Sequence, residues 1–363
     1  MFENIERIKA PTREVFFRDY VLPQKPVILT NLFEGQPIEQ VADLETVKGQ
    51  FSNSNVLINH GYDFRHRKIF EALMTGRFDG KFTDVSWAAG ERSTLGQYID
   101  HLQVNPDTDL RITALQREMT PEINALYEVP SYCVPGPGEP DAFGAELWLG
   151  RDGHGSLLHY DQDGKNLMQY QFFGEKSVIL VPPKSSKKLV PISNNCVVSI
   201  AHVSEKERDS FVRWVDGYQC VVRTHETLFM PGFIWHSFEY AETSMALTMR
   251  FFRPRHIQLL SERFHTDYRK QSLAWKLQDW ERAEPRHRAA FERLQEALSW
   301  SCSSIEEKTS RIHGLLEEIY ARDCSDDLQG DFARSFVDVL AEQVRRIEVA
   351  QAGLYTNANA AAG

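Results

Sequence analysis

Between about residue 143 and residue 253 the chain is a succession of short β-type runs, each cut off by a turn signal before it can lengthen. The runs are Ala145–Leu149, Leu167–Phe173, Ser177–Val181, Cys220–Val222, Thr227–Met230 and Met245–Phe252. Between them stand Asp152-Gly153, Asp163-Gly164, Phe173-Gly174-Glu175, Pro182-Pro183 and Pro231-Gly232, where glycine or proline favours reversal of the chain. Many short strands at this spacing can bury a common core only by curling into a sandwich or a barrel. The region is therefore expected to be nearly all strand.

The flanks read differently. In the first 110 or so residues Phe2, Ile5 and Ile8 recur at helical spacing, and a second helical stretch carries Val15, Phe16 and Tyr20 before Pro23 ends it. Pro26-Val27-Ile28-Leu29 is a β-branched run and reads as a strand. The segment SYCVPGPGEP at 131–140 is too rich in proline and glycine for regular structure and reads as a loop. Beyond Pro254 the period becomes helical, as in Ile305, Ile312, Leu315, Leu316 and Ile319, then Phe332, Phe336, Leu340, Val344 and Ile347. The division expected is a β domain with N-terminal helices over 1–255, its barrel core at 143–253, a module of about four helices over 256–352, and a flexible tail at 353–363.

Composition narrows the function classes. Of 363 residues, 42% are apolar and 11% aromatic, which is ample for a packed core and excludes disorder over most of the chain. The formal charge of −10 argues against non-specific nucleic-acid binding, although Arg253, Arg255, Arg263 and Arg269 gather positive charge locally. No run approaches the length of a membrane helix, and MFENIERIKAP lacks the features of a signal peptide, so a soluble, cytoplasmic protein is expected. The five cysteines (Cys133, Cys196, Cys220, Cys302 and Cys324) are widely spaced and never in C-x-x-C form, which points to a reducing compartment rather than a disulfide or zinc framework.

One constellation carries chemistry. In 154-HGSLLHYD-161, His159 and Asp161 stand two apart at the end of a strand-like run, so both side chains leave on one face and can converge on one ion. The pattern H-x-D recurs at His265 and Asp267, but there it falls in the helical region, where positions two apart diverge. A lone H-x-D is more often a core histidine beside a turn aspartate, and context decides. Downstream, 224-THETLFMPGFIWHSFEY-240 offers a strand, a Pro-Gly turn and a second strand opening at Trp235-His236, which makes His236 the natural third ligand. Two imidazoles and one carboxylate leave positions open on Fe(II), the arrangement of non-haem iron oxygenases.

The runs 147-LWLGRDGHGSLLHYDQDGKNLMQYQFFGEKSVILVPP-183 and 217-GYQCVVRTHETLFMPGFIWHSFE-239 resemble the core of the JmjC and cupin-like 2-oxoglutarate oxygenases. Their layout is nearest that of the asparaginyl hydroxylase acting on hypoxia-inducible factor. The resemblance implies a double-stranded β-helix, with His159, Asp161 and His236 as the iron ligands and Fe(II), 2-oxoglutarate and O₂ as cofactor and cosubstrates. It places Lys176 on the far carboxylate of 2-oxoglutarate, with Ser156 as a further contact. There are two departures. The spacing from His159 to Lys176 is two residues longer than in the asparaginyl hydroxylase pattern, which leaves Lys165 and Asn166 both open as the polar residue between them. Arg250 stands where that pattern has Asn, and is a second candidate for the carboxylate anchor because guanidinium grips carboxylates bidentately.

The activity implied is hydroxylation of an unactivated C–H bond, foremost on an amino-acid side chain of a protein or peptide. A small biosynthetic intermediate or an RNA base is the alternative substrate. A non-catalytic JmjC-like binding module and a cupin independent of 2-oxoglutarate are alternatives of another class. Histone demethylation ranks low, since no zinc finger or basic surface accompanies the barrel. The C-terminal helices would dimerise the protein or grip its substrate. His154, His202, His225 and His256 do not build a second site. Trp148, Phe172 and Phe229 read as core aromatics, and Tyr132 and Tyr218 as possible cleft residues.

Overall fold

The computed structural model describes residues 3–60, 91–105, 108, 110–116, 120–134, 144–156, 158–161, 163–189, 191–192, 195–196, 205–251 and 282–298, with 304, 307, 310, 311, 314, 315 and 318 beyond them. Fourteen strands run through these residues. They are β1 (Arg7–Ile8), β2 (Val27–Leu29), β3 (Asn55–His60), β4 (Glu91–Thr94), β5 (Leu110–Gln116), β6 (Gly144–Gly150) and β7 (Asn166–Phe173). Then come β8 (Lys176–Val181), β9 (Pro191–Ile192), β10 (Asn195–Cys196), β11 (Tyr218–Val222), β12 (Thr227–Met230), β13 (Trp235–Tyr240) and β14 (Ser244–Phe251). Nine form one long sheet in the order β1-β2-β12-β7-β14-β6-β5-β3-β4, and β11-β8-β13 form a second, shorter one.

The alternation of side chains across each strand makes these two sheets a jelly-roll. Ile28, Leu167, Leu228 and Met230 of the long sheet pack against Val178, Leu180, Cys220, Val222 and Phe238 of the short one, so these side chains fill the space between the sheets. Their neighbours in sequence, among them Val27, Leu29, Met168, Tyr170, Phe229 and Met249, leave the other face of the long sheet. That outer face is covered by Phe16, Phe17, Phe33, Tyr98 and Tyr132 from the N-terminal helices and loops. Strands buried on both faces can read as continuous apolar runs, as Val178–Val181 of β8 does, whereas β7 is equally buried but carries Gln169 and Gln171.

Several expectations need correction. Ile5 and Ile8 do not lie on a helix: Arg7–Ile8 is a strand paired in parallel with β2. The physical reason is that positions three apart on an extended chain face opposite ways, and Ile5 packs inside the barrel while Ile8 packs on its outer cluster. The second segment is helical as read, with an α-turn at Arg13–Phe16 continuing into a π-turn at Phe17–Val21. Within the region read as strand, Glu205–Trp214 is a helix that buries Phe211 and Val212, while its Arg208 pairs with Glu239 of β13 and its Asp209 accepts from Gln219 of β11.

Other expectations fall beyond the described positions. Phe2, most of the helical module over 256–352, the tail at 353–363, His202, His256, the His265/Asp267 pair, the arginines at 253, 255, 263 and 269, Cys302 and Cys324 all lie outside the described residues. Pro285–Leu298 is a helix. Among the described residues no helix is long and apolar enough to cross a membrane.

The chain passes from the long sheet to the short one through the tight turn between β7 and β8. Gly174 makes that turn with φ +71°, and a Cβ there would lie 2.5 Å from the Thr243 carbonyl oxygen and from Ser244 Cβ. Both the left-handed backbone and the close approach to β14 demand glycine. Gly174→Ala is expected to destabilise the fold by on the order of 2–4 kcal/mol, read as a lower urea midpoint. An unchanged midpoint would show that the turn relaxes freely.

Candidate metal centre

Backbone pairing brings the two histidines together. His236 N–H donates to the His159 carbonyl at 2.7 Å, and His159 N–H donates back to the His236 carbonyl at 3.1 Å, and Gly155 and His159 each bridge β13 in the antiparallel sense. Ser156 reinforces the pairing: its N–H donates to the Phe238 carbonyl at 2.7 Å, and its Oγ accepts the Phe238 N–H at 2.9 Å. Directly opposed residues of an antiparallel pair project on one face. The two imidazole rings accordingly stand 4.4 Å apart, centroid to centroid.

Alternation then selects Asp161. Tyr160 points away and wedges against Trp235, 4.8 Å between ring centroids, while His159 and Asp161 turn to the cavity side. Asp161 Oδ1 lies 3.9 Å from His159 Nε2, and the three donor atoms of His159, Asp161 and His236 all fall within 4.8 Å of one another. His236 Nδ1 lies 3.0 Å from the Ile234 carbonyl oxygen, which can only accept, so the proton belongs on Nδ1 and Nε2 keeps its lone pair for a metal. Two nitrogens and one carboxylate oxygen at one edge of a barrel fit Fe(II) by the chemistry of the donor set.

Lys176 opens β8, opposite Tyr240, just as Leu180 stands opposite His236. Lys176 and His236 therefore lie on the same inner face, four residues apart along β13. The lysine is 1% exposed, and its Nζ sits 4.2 Å from the centre of the Tyr240 ring. Among the described residues no carboxylate pairs with it, and burial pushes its pKa down to about 7. A buried ammonium on the face that also carries His236 fits an anionic ligand such as the far end of a dicarboxylate.

Arg250 has different partners. Its Nη1 donates to Asp161 Oδ2 at 2.9 Å and to Asp163 Oδ2 at 3.3 Å. Its Nε lies 3.0 Å from Glu146 Oε1, an ion pair rather than a directed hydrogen bond. Burial opposes the charge on Arg250, but Asp161, Glu146 and Asp163 together hold its pKa above the ordinary value, while burial raises that of Glu146. In the sequence Asp163 signalled only a turn and Glu146 gave no signal, because only the pairing of β6 with β14 brings Glu146 beside Arg250.

The remaining residues singled out in the sequence fall as follows. Asn166 is buried and its Oδ1 accepts the Gly232 N–H at 3.0 Å, tying the turn before His236 to the loop after Asp161. Lys165 is half-buried, and its N–H donates to Asp163 Oδ1. Tyr132 stacks on Phe16 in the outer core rather than lining a cleft, and Tyr218 is half-buried at the start of β11. Phe172 and Phe229 are core residues, and Trp148 shares the inner face of β6 with Glu146. His154 meets the Thr108 carbonyl, and His225 stacks on Tyr170.

The buried lysine makes stability depend on pH. Folded, Lys176 releases its proton near pH 7; unfolded, near its ordinary value of 10.5. Between those values the unfolded chain binds more protons, so this group's cost to the fold is full below about pH 7 and fades as pH rises. Lys176→Met is expected to be more stable than wild type by on the order of a few kcal/mol near pH 6.5, with the gap closing toward pH 10. A gap independent of pH in ligand-free urea melts would contradict the burial argument.

A family model for a cupin-like domain matches residues 12–257, two thirds of the chain. Lysine-specific demethylase 8 of Danio rerio is 25% identical over 256 residues, covering 68% of this chain and 58% of that protein. Jumonji C domain-containing protein 5 of Drosophila melanogaster is 26% identical over 242 residues, covering 64% of this chain and 56% of that protein. Lysine-specific demethylase 8 of Xenopus tropicalis is 22% identical over 250 residues, covering 67% of this chain and 52% of that protein. The chain thus spans little more than half the length of these relatives. With a jelly-roll, a convergent His-Asp-His group and a family match that takes in the barrel from β2 to β14, the chain belongs to the cupin-like domain family.

Proposed function

We propose that this protein is an Fe(II)- and 2-oxoglutarate-dependent dioxygenase that hydroxylates a C–H bond on an amino-acid side chain of a protein or peptide. The observation that carries the reading is the convergence of His159, Asp161 and His236 on the inner face that also holds the buried Lys176. His159 and His236 would bind the iron through nitrogen and Asp161 through oxygen. Lys176 would take the far carboxylate of 2-oxoglutarate, and the ion pair would remove the cost of burying its ammonium. Arg250 is the weaker anchor, because its guanidinium is already engaged by three carboxylates.

With both bound, iron and 2-oxoglutarate supply the coupled chemistry in which O₂ is split, one oxygen atom entering a C–H bond and the other leaving in succinate as CO₂ is lost. The chain's own part is positional. The His159–His236 pairing would set the two nitrogens, the apolar side chains of Val178, Leu180 and Phe238 beside them would exclude water, and Lys176 would orient the keto acid.

Names of the relatives favour demethylation as a second reading, since hydroxylation of an N-methyl carbon leads to loss of formaldehyde from the same site. The helices after residue 256 are proposed to form a separate module that pairs two copies or grips substrate. The buried Cys133, Cys196 and Cys220, none of them in a disulfide, suit a reducing compartment such as the cytoplasm.

Incubation with Fe(II), 2-oxoglutarate, O₂ and a peptide mixture is expected to release succinate, and His159→Ala or Asp161→Ala to abolish that release while leaving circular dichroism unchanged. Mass spectrometry separates the readings: one added oxygen indicates hydroxylation, and a lost methyl with formaldehyde indicates demethylation. Equal succinate from Asp161→Ala would sink the ligand assignment. Lys176→Ala is expected to weaken 2-oxoglutarate binding at least about tenfold with iron affinity kept, measured by anaerobic titration. An unaltered 2-oxoglutarate affinity would return Arg250 as the anchor.

A further inference from the structure

Asp161 is held at both oxygens. Oδ1 lies on the side where the donor atoms converge, 3.9 Å from His159 Nε2, and Oδ2 accepts from Arg250 Nη1 at 2.9 Å. We infer that Arg250 is a positioning residue that restricts Asp161 to a single oxygen on the metal, with Glu146 and Asp163 holding the guanidinium in place. The inference rests on the reading of His159, Asp161 and His236 as the ligands.

A carboxylate with both oxygens available can chelate a cation bidentately and so occupy a further coordination position. A site that takes a chelating cosubstrate and O₂ beside three protein donors has no position to spare. The guanidinium removes that option by engaging Oδ2. It is itself pinned at two places, with Nε 3.0 Å from Glu146 Oε1 and Nη1 3.3 Å from Asp163 Oδ2, and its side chain is 16% exposed. A planar fork fixed in this way cannot swing aside, whereas a lysine would offer one mobile point charge.

The arrangement also accounts for Arg250 without giving it a place on the cosubstrate: its strand neighbour across β6 puts Glu146 one diagonal step away on the same inner face.

Cobalt(II) titration of the full chain tests this, because its visible bands report the number and arrangement of ligands. Wild type is expected to bind one equivalent and Asp161→Ala none. Arg250→Lys, which keeps the net charge, is expected to weaken cobalt binding about tenfold or more and to alter the bands, with an unchanged circular dichroism spectrum. Glu146→Gln, which leaves Arg250 in place but loosens it, is expected to fall between the two. Wild-type affinity and bands in both folded variants would overturn the positioning role while leaving the ligands intact. If Arg250→Lys does not fold, unchanged affinity and bands in Glu146→Gln overturn it alone. Failure of wild type to bind cobalt, or equal binding by Asp161→Ala, would instead remove the ligand reading and this inference with it.

Discussion

The reciprocal backbone hydrogen bonds between His159 and His236 are the contact on which the rest of the site depends. An antiparallel pair that exchanges both N–H···O bonds fixes the two Cβ atoms on one face at close range. That single pairing joins a loop after β6 to the start of β13, sets two imidazoles 4.4 Å apart, and leaves Asp161 to complete the group by alternation. Ser156, Asn166 and Trp235 all serve that junction. They hydrogen-bond Phe238, the Gly232 turn and Ser186, each within or beside the strand that presents His236.

Around this junction the barrel is divided by polarity. Its floor is apolar, built from Ile28, Leu228, Val178 and Leu180, while its mouth carries Asp161, Asp163, Glu146 and Arg250. Lys176 lies on the inner face of the short sheet, fully buried, without a carboxylate partner among the described residues. A fold maintained for stability alone would place a methionine there. The energetic cost of an isolated buried ammonium is a structural sign of a site shaped around an anion.

Much of the barrel was legible from local signals. The strands at 167–173, 177–181 and 227–230 matched their runs to within a residue, because their burial concentrates apolar residues between sharp turn signals such as Phe173-Gly174-Glu175 and Pro231-Gly232. The helix at Glu205–Trp214 was not legible, since its few apolar residues sit among charges inside an otherwise strand-like stretch. The Ile5–Ile8 spacing suggested a helix, whereas the chain there is extended and the two residues serve separate cores. A three-residue spacing cannot distinguish one buried stripe from two opposed faces.

The same division holds for the site. By itself the sequence determined the donor types, the H-x-D spacing and a second histidine after a Pro-Gly turn, because metal ligation demands particular side chains and alternation acts over two residues. Only the tertiary structure decided that Arg250 meets Asp161, that Glu146 and Asp163 join it, and that among the described residues no carboxylate pairs with Lys176. Those facts depend on the register of β14 against β6 and of β8 against β13. Register is set by the packing of whole sheets, and electrostatic partners follow distance in space rather than separation along the chain.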